Sequence, residues 1–360
     1  MKKKVVVGMS GGVDSSVAAY LLKEQGYDVT GVTMQIWQDE DIFTKEKEDG
    51  CCGVSAVEDA RRVAECLDIP YYVMNFKADF KKAVIDYFVS EYQKGRTPNP
   101  CIACNRYVKW ESLLRRAMET GADYIATGHY ARIVRLANGR YSIQNSVTAA
   151  KDQTYALYNL TQDQLAHTLM PVGEYDKQQI RKLAEKIGVH VAAKQDSQDI
   201  CFVPDHDYAA FITSQTGMNS EPGNFVDESG SVLGQHRGII HYTIGQRKGL
   251  GISAETPLFV KELRLQTNEV VLCKAEGLFG RLCRVGNVNY MAETSIHESV
   301  RTTGKIRYSH AGAPCILHPQ PDGTLVAEFD EAQRAMTPGQ AAVFYQEDHI
   351  LCGGTIEGQG

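Results

Sequence analysis

The residues with the plainest chemical purpose stand near the start of the chain: Gly8-Met9-Ser10-Gly11-Gly12-Val13-Asp14-Ser15-Ser16. Two adjacent glycines let the backbone bend close to a ligand, and Ser10, Ser15 and Ser16 offer hydroxyls. A helix starting behind them adds unpaired N–H groups and a partial positive charge. Such a nest suits a multiply charged anion such as pyrophosphate. No Gly-Lys-Ser/Thr follows, so it is not a Walker A loop, and the glycine spacing is not that of a dinucleotide fingerprint. The other reactive groups are thiols. Cys101 and Cys104 lie in Gly95-Arg96-Thr97-Pro98-Asn99-Pro100-Cys101-Ile102-Ala103-Cys104-Asn105, and Cys201 follows the polar stretch Asp196-Ser197-Gln198-Asp199-Ile200. The two prolines stiffen the first segment and predict a rigid loop, with no helix until after Cys104.

The elements around these groups follow an alternating pattern. Lys4 to Gly8 is a short β-branched run, and Val17, Ala18, Leu21 and Leu22 fall at helical spacing between Ser15 and Glu24. The nest therefore sits where a strand hands over to a helix. Strands are predicted at Tyr27 to Met34, Tyr71 to Phe76 and Asp123 to Ala126. Helices are predicted from Ser55, where Glu58 completes a capping box, from Phe80 to Tyr92 and from Trp110 to Met118. Strands alternating with helices predict an α/β domain with a doubly wound parallel sheet. Beyond it, glycines punctuate a small loop-rich domain. Short runs such as Gly304 to Tyr308, Leu325 to Phe329 and Ala341 to Tyr345 then predict a C-terminal β-barrel. The expected domains are 1–212, 213–278 and 279–360.

The first motif resembles the SGGxDS loop of the ATP pyrophosphatase (PP-loop) superfamily, whose members cleave ATP between the α and β phosphates. Further stretches narrow the resemblance: the Cys101/Cys104 segment, the Cys201 segment, Ala126-Thr127-Gly128-His129-Tyr130, Lys151-Asp152-Gln153-Thr154-Tyr155 and His241-Tyr242-Thr243-Ile244-Gly245-Gln246-Arg247-Lys248-Gly249-Leu250-Gly251. Together they are similar to the tRNA 2-thiouridylases, almost from end to end. That resemblance implies an adenine nucleotide alpha hydrolase-like sheet. It also implies a sulfurtransferase that adenylates the C2 oxygen of the wobble uridine and replaces it with sulfur, releasing AMP and pyrophosphate.

Transferred residue by residue, the resemblance puts ATP on Gly8, Met9, Ser10, Gly11, Gly12, Val13, Asp14 and Ser15, with Met34 and Gly128 near the adenosine. Asp14 helps to hold Mg²⁺ and pyrophosphate. Cys201 carries a persulfide, and Cys104 is its partner thiol. A second thiol has a chemical reason, because sulfur leaves a persulfide when a nucleophile attacks the inner sulfur. The tRNA contacts implied are Asn99, His129, Lys151, Asp152, Gln153, Arg307, Tyr308 and Gln340. Partners would be tRNA and a cysteine desulfurase or sulfur-relay protein. Many family members have aspartate where this chain has Cys101, which leaves the acid/base role of that position open. It also opens a second scheme, in which Cys101, Cys104 and Cys201 ligate a [4Fe-4S] cluster that binds sulfide.

The bulk numbers bound these readings. At 43% hydrophobic and 23% charged residues, with no apolar run long enough for a membrane helix, the 360-residue chain reads as a globular cytoplasmic protein with no membrane contact. Ten cysteines without an export signal are expected to be reduced. A net charge of −6 gives no overall basic footprint, so RNA binding must be local. His236, Arg237, His241, Arg247 and Lys248 among glycines suggest a mobile basic loop for a phosphate backbone. Cys66, Cys273, Cys283, Cys315 and Cys352 lie in apolar contexts and are read as buried small hydrophobes. Cys51 and Cys52 follow a charged stretch from Asp39 to Asp49, read as a surface loop. Two rivals remain at this point: an amidating ATP pyrophosphatase, which does not need the Cys104/Cys201 pair, and a noncatalytic RNA-binding or sulfur-carrier protein.

Overall fold

The computed structural model describes residues 2–36, 54–188, 200–203, 207–217 and 220–359. The stretches containing Asp39 to Asp49, Cys51 and Cys52, and Asp196 to Asp199, lie outside the described residues. The chain forms two compact units: Met1–Ile85, Pro100–Pro204 and Asp348–Leu351 in one, and Asp86–Asn99, Asp205–Glu347 and Cys352–Gly360 in the other.

Among the described residues, the first unit holds a five-stranded parallel sheet built from β1 (Lys4–Gly8), β2 (Asp28–Gln35), β3 (Tyr71–Asn75), β4 (Tyr124–Ala126) and β7 (Thr168–Leu169), in the order β3-β2-β1-β4-β7. Val5, Val6 and Val7 are all buried, as expected for a central strand covered on both faces. Helix α1 (Val13–Glu24) turns Val17, Ala18, Leu21 and Leu22 into the core, where Ile180 and Ala184 of α8 (Lys177–Ile187) join them. Burying Val17 and Leu22 stabilises the fold by roughly 1.5–3 kcal/mol each. Helix α2 (Val54–Cys66) adds Ala60 and Val63 to that core. A hairpin of β5 (Ala131–Arg135) and β6 (Tyr141–Asn145) follows β4.

The thiol-bearing segment departs from expectation. Pro100 opens a helical turn, α5 (Pro100–Ala103), which runs into a π-helical stretch at Cys104–Leu113 and then α6 (Leu114–Glu119). Pro100 stands at the first helical position, where a missing N–H costs nothing and a fixed φ favours the helix. The rigid loop therefore ends before Cys101 rather than after Cys104. Upstream, α3 (Lys77–Phe80) runs into a second π-helical stretch at Lys81–Ile85.

In the second unit, α4 (Asp86–Gln93) buries Phe88 against Tyr92, Tyr208 and Phe211, the last two from α9 (Tyr208–Thr216). Burial pushes the Tyr92 hydroxyl pKa up to about 12. A four-stranded sheet, β10-β11-β8-β9, combines β8 (Gly223–Val226), β9 (Val232–His236), β10 (Phe259–Arg264) and β11 (Glu269–Cys273) around Phe225, Val260 and Leu272. After it come β12 (Phe279–Tyr290), β13 (Val300–Lys305), β14 (Ala313–Pro319), β15 (Leu325–Arg334), β16 (Ala341–Gln346) and β17 (His349–Gln359). Pairing of β12 with both β15 and β17 closes these strands into a barrel, as the turn pattern predicts. One strand is shifted: β13 ends at Lys305, and Arg307 and Tyr308 lie beyond it rather than within a strand.

Four cysteine readings hold and one fails. Cys273, Cys283, Cys315 and Cys352 are buried, and burial pushes the Cys283 and Cys315 thiols up to about 12 and Cys352 further still. Cys66 is exposed, with Sγ 3.3 Å from the Ile187 carbonyl, because it sits at the last turn of α2, past the buried stripe. The basic loop also needs correction at its first member. His236 is only 2% exposed; its Nδ1 accepts the Gly238 N–H at 3.0 Å and its Nε2 lies 3.1 Å from the Asn268 carbonyl. It is a neutral structural ring, while Arg247 and Lys248 stand exposed.

Candidate active site at the sheet switch point

Strand β1 has β2 on one side and β4 on the other, so the chain reverses its direction of winding between β1 and β4. In open α/β sheets that reversal opens a crevice at the carboxyl ends of the strands, and ligands bind there. Val7 pairs with Ala126 across β1 and β4, which brings the loop after Gly8 and the loop after Ala126 to the same edge. Gly128 packs so tightly that a Cβ there would lie 2.6 Å from the Asp14 carbonyl carbon and the Ser15 nitrogen. Met34, buried near the end of β2, lies at the same edge.

The nest itself is held from several sides. Met9 N–H donates to the Val32 carbonyl at 2.8 Å, and Thr33 Oγ1 donates to the Met9 carbonyl at 2.7 Å. Gly11 has φ of +67°, and a Cβ there would lie 2.4 Å from the Ala56 oxygen, so glycine is required by both conformation and space. Ser10 N–H donates to Ser15 Oγ at 3.2 Å, closing the loop on itself. Gly12 caps α1 in an extended conformation with no side-chain cap bond, which leaves the helix N-terminus to a ligand.

Asp14 faces a lysine that the sequence reading missed. Lys177 Nζ lies 3.0 Å from both Asp14 carboxylate oxygens, and the Tyr130 hydroxyl donates to Asp14 Oδ1 at 2.7 Å. The lysine and aspartate side chains are only 14% and 25% exposed, so the pair is substantially desolvated. A signal was present in the sequence. Asp176 and Gln179 form a capping box, which puts Lys177 in the first turn of α8, where the helix dipole disfavours a cation. A lysine in that position calls for a carboxylate partner.

The loop after β4 continues this wall. Thr127 Oγ1 lies 2.7 Å from His129 Nδ1, and the His129 ring packs on Trp110 with centroids 5.4 Å apart. Burial, aided by the nearby Lys109 ammonium, holds His129 well below the usual imidazole range, so the ring is neutral at pH 7. Lys109, also missed from sequence, donates to Asn105 Oδ1 at 2.9 Å, and Asn105 Nδ2 donates to the Ala156 carbonyl at 3.0 Å. Asp152 and Gln153 are committed to the protein's own backbone. Asp152 accepts from Ser146 N–H and from Thr154 N–H and Oγ1, and Gln153 Oε1 accepts the Tyr130 N–H at 2.9 Å.

Cys104 and Cys201 belong to the same unit, both half-buried, while Cys101 is exposed. Their supporting elements share an anchor. Phe202 packs edge-on against Phe80 of α3 at 5.7 Å, and the helix carrying Cys104 is tied to Asp79 of α3 by Ser112 Oγ at 2.9 Å and Arg116 at 2.8 Å. Among the described residues no three Cys, His, Asp or Glu side chains converge as metal ligands, so Cys101, Cys104 and Cys201 do not form the three-thiolate set that a [4Fe-4S] cluster requires. Nor is any helix among them long and apolar enough to cross a membrane. In the second unit, Arg307 donates to the Arg334 carbonyl at 2.9 Å, Tyr308 is 52% exposed, and Gln340 donates to the Thr97 carbonyl at 2.8 Å.

A parallel sheet with a serine- and glycine-rich anion nest at its switch point defines an α/β domain of the HUP class, and residues 3–205 match the family described as "tRNA methyl transferase HUP domain". Residues 210–274 match "tRNA methyl transferase PRC-barrel domain" and 280–356 match "Aminomethyltransferase beta-barrel domain". The chain is 64% identical to "tRNA-specific 2-thiouridylase MnmA" of Lachnoclostridium phytofermentans over 98% of its own length and 99% of that protein's. It is 56% identical to "tRNA-specific 2-thiouridylase MnmA 1" of Clostridium botulinum over 99% of this chain and all of that one. The corresponding protein of Acetivibrio thermocellus is 55% identical over 99% of each. The chain belongs to the tRNA-specific 2-thiouridylase family.

Proposed function

We propose that this protein is an ATP-dependent tRNA-uridine 2-sulfurtransferase acting in the cytoplasm, with its catalytic, central and barrel parts at 1–212, 213–278 and 279–360. The observation that carries the reading is the anion nest at the switch point with Asp14 beside it, in a chain belonging to this family. ATP phosphates would meet the free N–H groups at Gly11 to Ser15, and the adenosine would lie toward Met34 and Gly128. Asp14 is an oxygen donor suited to Mg²⁺, which when bound would neutralise phosphate charge. Lys177, in turn, is placed to offset the charge on Asp14.

In the first step the C2 oxygen of the wobble uridine attacks the α phosphate and pyrophosphate leaves. The terminal sulfur of a persulfide on Cys201, supplied by a cysteine desulfurase or sulfur-relay protein, then attacks C2, and AMP departs with the uridine oxygen. The Cys104 thiolate attacks the inner sulfur, so a Cys104–Cys201 disulfide forms and the terminal sulfur stays on the base. A thiol reductant reopens the disulfide. Asn99, His129, Lys151, Arg307 and Tyr308 supply RNA contacts: cations for phosphates and a ring for stacking. Asp152 and Gln153 shape the loop that presents Lys151.

The test is mass spectrometry of nucleosides from unmodified tRNA incubated with the protein, ATP, Mg²⁺ and a cysteine desulfurase system. 2-Thiouridine formed with wild-type protein but not with Cys104→Ser or Cys201→Ser supports the reading. ATP turnover to AMP that ignores tRNA and responds to a small amine would overturn it in favour of an amidating enzyme.

A further inference from the structure

The segment Arg96-Thr97-Pro98-Asn99 joins α4 to α5 with no regular structure of its own, so its backbone groups must find partners elsewhere. Arg96 N–H donates to the Glu91 carbonyl at 2.9 Å, and the Arg96 guanidinium pairs with the Glu91 carboxylate at 2.9 Å. Thr97 is bonded on both sides to a single turn, Thr337-Pro338-Gly339-Gln340. Its N–H donates to the Pro338 carbonyl at 2.9 Å, and its carbonyl accepts from Gln340 Nε2 at 2.8 Å. The two backbones press together at Gly339, where φ is +91° and a Cβ would lie 2.9 Å from the Thr97 nitrogen.

The turn is itself fixed. Gly339 N–H donates to the Ile356 carbonyl at 2.9 Å, Ile356 N–H donates to the Gln340 carbonyl at 2.8 Å, and Thr337 Oγ1 donates to the Ala335 carbonyl at 3.0 Å. Any order imposed at Thr97 travels along the chain, because Pro98 and Pro100 lock their own φ angles and hold Thr97 and Asn99 in extended conformations. A clamp at Thr97 therefore sets the course of the backbone through Asn99 to the helix that begins at Pro100.

We infer that Gln340 is a positioning residue: its side-chain amide, with the close approach at Gly339, holds the Arg96–Asn99 segment in the orientation from which Asn99 meets the target nucleotide. The inference rests on the thiolation reading for its substrate but not for its geometry. A direct role at RNA leaves the RNA-free protein unchanged when Gln340 is removed, whereas the clamp does not.

The test uses full-length Gln340→Ala and Gly339→Ala proteins. Gln340→Ala deletes the donor, and Gly339→Ala forces the backbones apart with Gln340 intact. Amide exchange by mass spectrometry on RNA-free protein should show residues 96–99 exchanging about fivefold faster or more in both variants, the change expected for one lost hydrogen bond. In thiolation assays kcat should fall by a similar factor or more, with the KM for tRNA changed less than about twofold. Exchange at 96–99 equal to wild type in Gln340→Ala, with the loss confined to KM, overturns the inference and makes Gln340 an RNA contact. Should wild-type protein make no 2-thiouridine, the exchange result still decides the clamp, and only the functional reading fails.

Discussion

Replacing Lys177 by methionine tests the electrostatics of the nest directly. Its ammonium lies 3.0 Å from both oxygens of Asp14, and the side chains are 14% and 25% exposed. The bare attraction between unit charges at that distance is about 5.5 kcal/mol at an effective dielectric constant near 20. Most of it is offset by the desolvation of both ions. Exposed pairs contribute about 0–1 kcal/mol and loss of one partner of a buried pair costs about 3–5, so this partly exposed pair falls near 2 kcal/mol. The Tyr130 hydroxyl still donates to Asp14 in the variant and limits the loss. Urea unfolding of wild type, Lys177→Met, Asp14→Asn and the double variant should give a coupling energy of about 1–2 kcal/mol, with the double variant more stable than the sum of the singles predicts. The same substitution leaves an unneutralised carboxylate in an anion site, so ATP should bind about tenfold more weakly by calorimetry, equivalent to about 1.4 kcal/mol. A coupling energy near zero together with unchanged ATP affinity would falsify the assignment of Lys177 to this site.

Gly11→Ala places a methyl group against Ala56 at a positive φ, and should lower unfolding stability by about 2 kcal/mol or more while abolishing nucleotide binding, checked by denaturant melts and a fluorescent ATP analogue. Cys201→Ser should leave no alkylation-trapped persulfide after incubation with a desulfurase, and a persulfide that persists at another cysteine refutes the assigned carrier. His236 is kept neutral by burial, so its folded pKa lies below the ordinary 6.5. The unfolded chain then binds the extra proton, and stability declines as pH falls below about 6.5, by at most about 1.4 kcal/mol per pH unit. His236→Gln should flatten that slope in urea melts between pH 7 and 5; an unchanged slope rules the ring out as its source.

The βα unit carrying the nest was legible because two local signals agree there: a β-branched run ends in glycine, and hydrophobic spacing then changes from strand to helix. Alternation of such units is enough to define a doubly wound sheet, and turn spacing is enough to indicate the barrel. What the sequence hid depends on partners far along the chain. Asp14 and Lys177 are 163 residues apart, and Gln340 finds Thr97 across 243. The neutral state of His236 depends on the Asn268 carbonyl, while counting basic residues within a short window suggested a charged loop. Pro100 was ambiguous for a different reason: the same ring that breaks a helix interior starts a helix at its first turn. Cys66 was assigned to a buried face from two neighbours, which is too few to fix the phase of a helix near its end.

Strand β17 belongs to both compact units, since Asp348–Leu351 completes the first and Cys352 onward the second. Asn145 N–H reaches back to the Asp348 carbonyl, and Ser142 Oγ to the Ile350 carbonyl, 208 residues later. On a ribosome adding roughly 5–20 residues per second, the β5–β6 hairpin beside the nest waits roughly 10–40 s for these partners. Translation thus delivers the last bonds of the first-made unit only as synthesis nears its end, so a nascent chain stalled before residue 348 should expose that hairpin edge to chaperones or proteases.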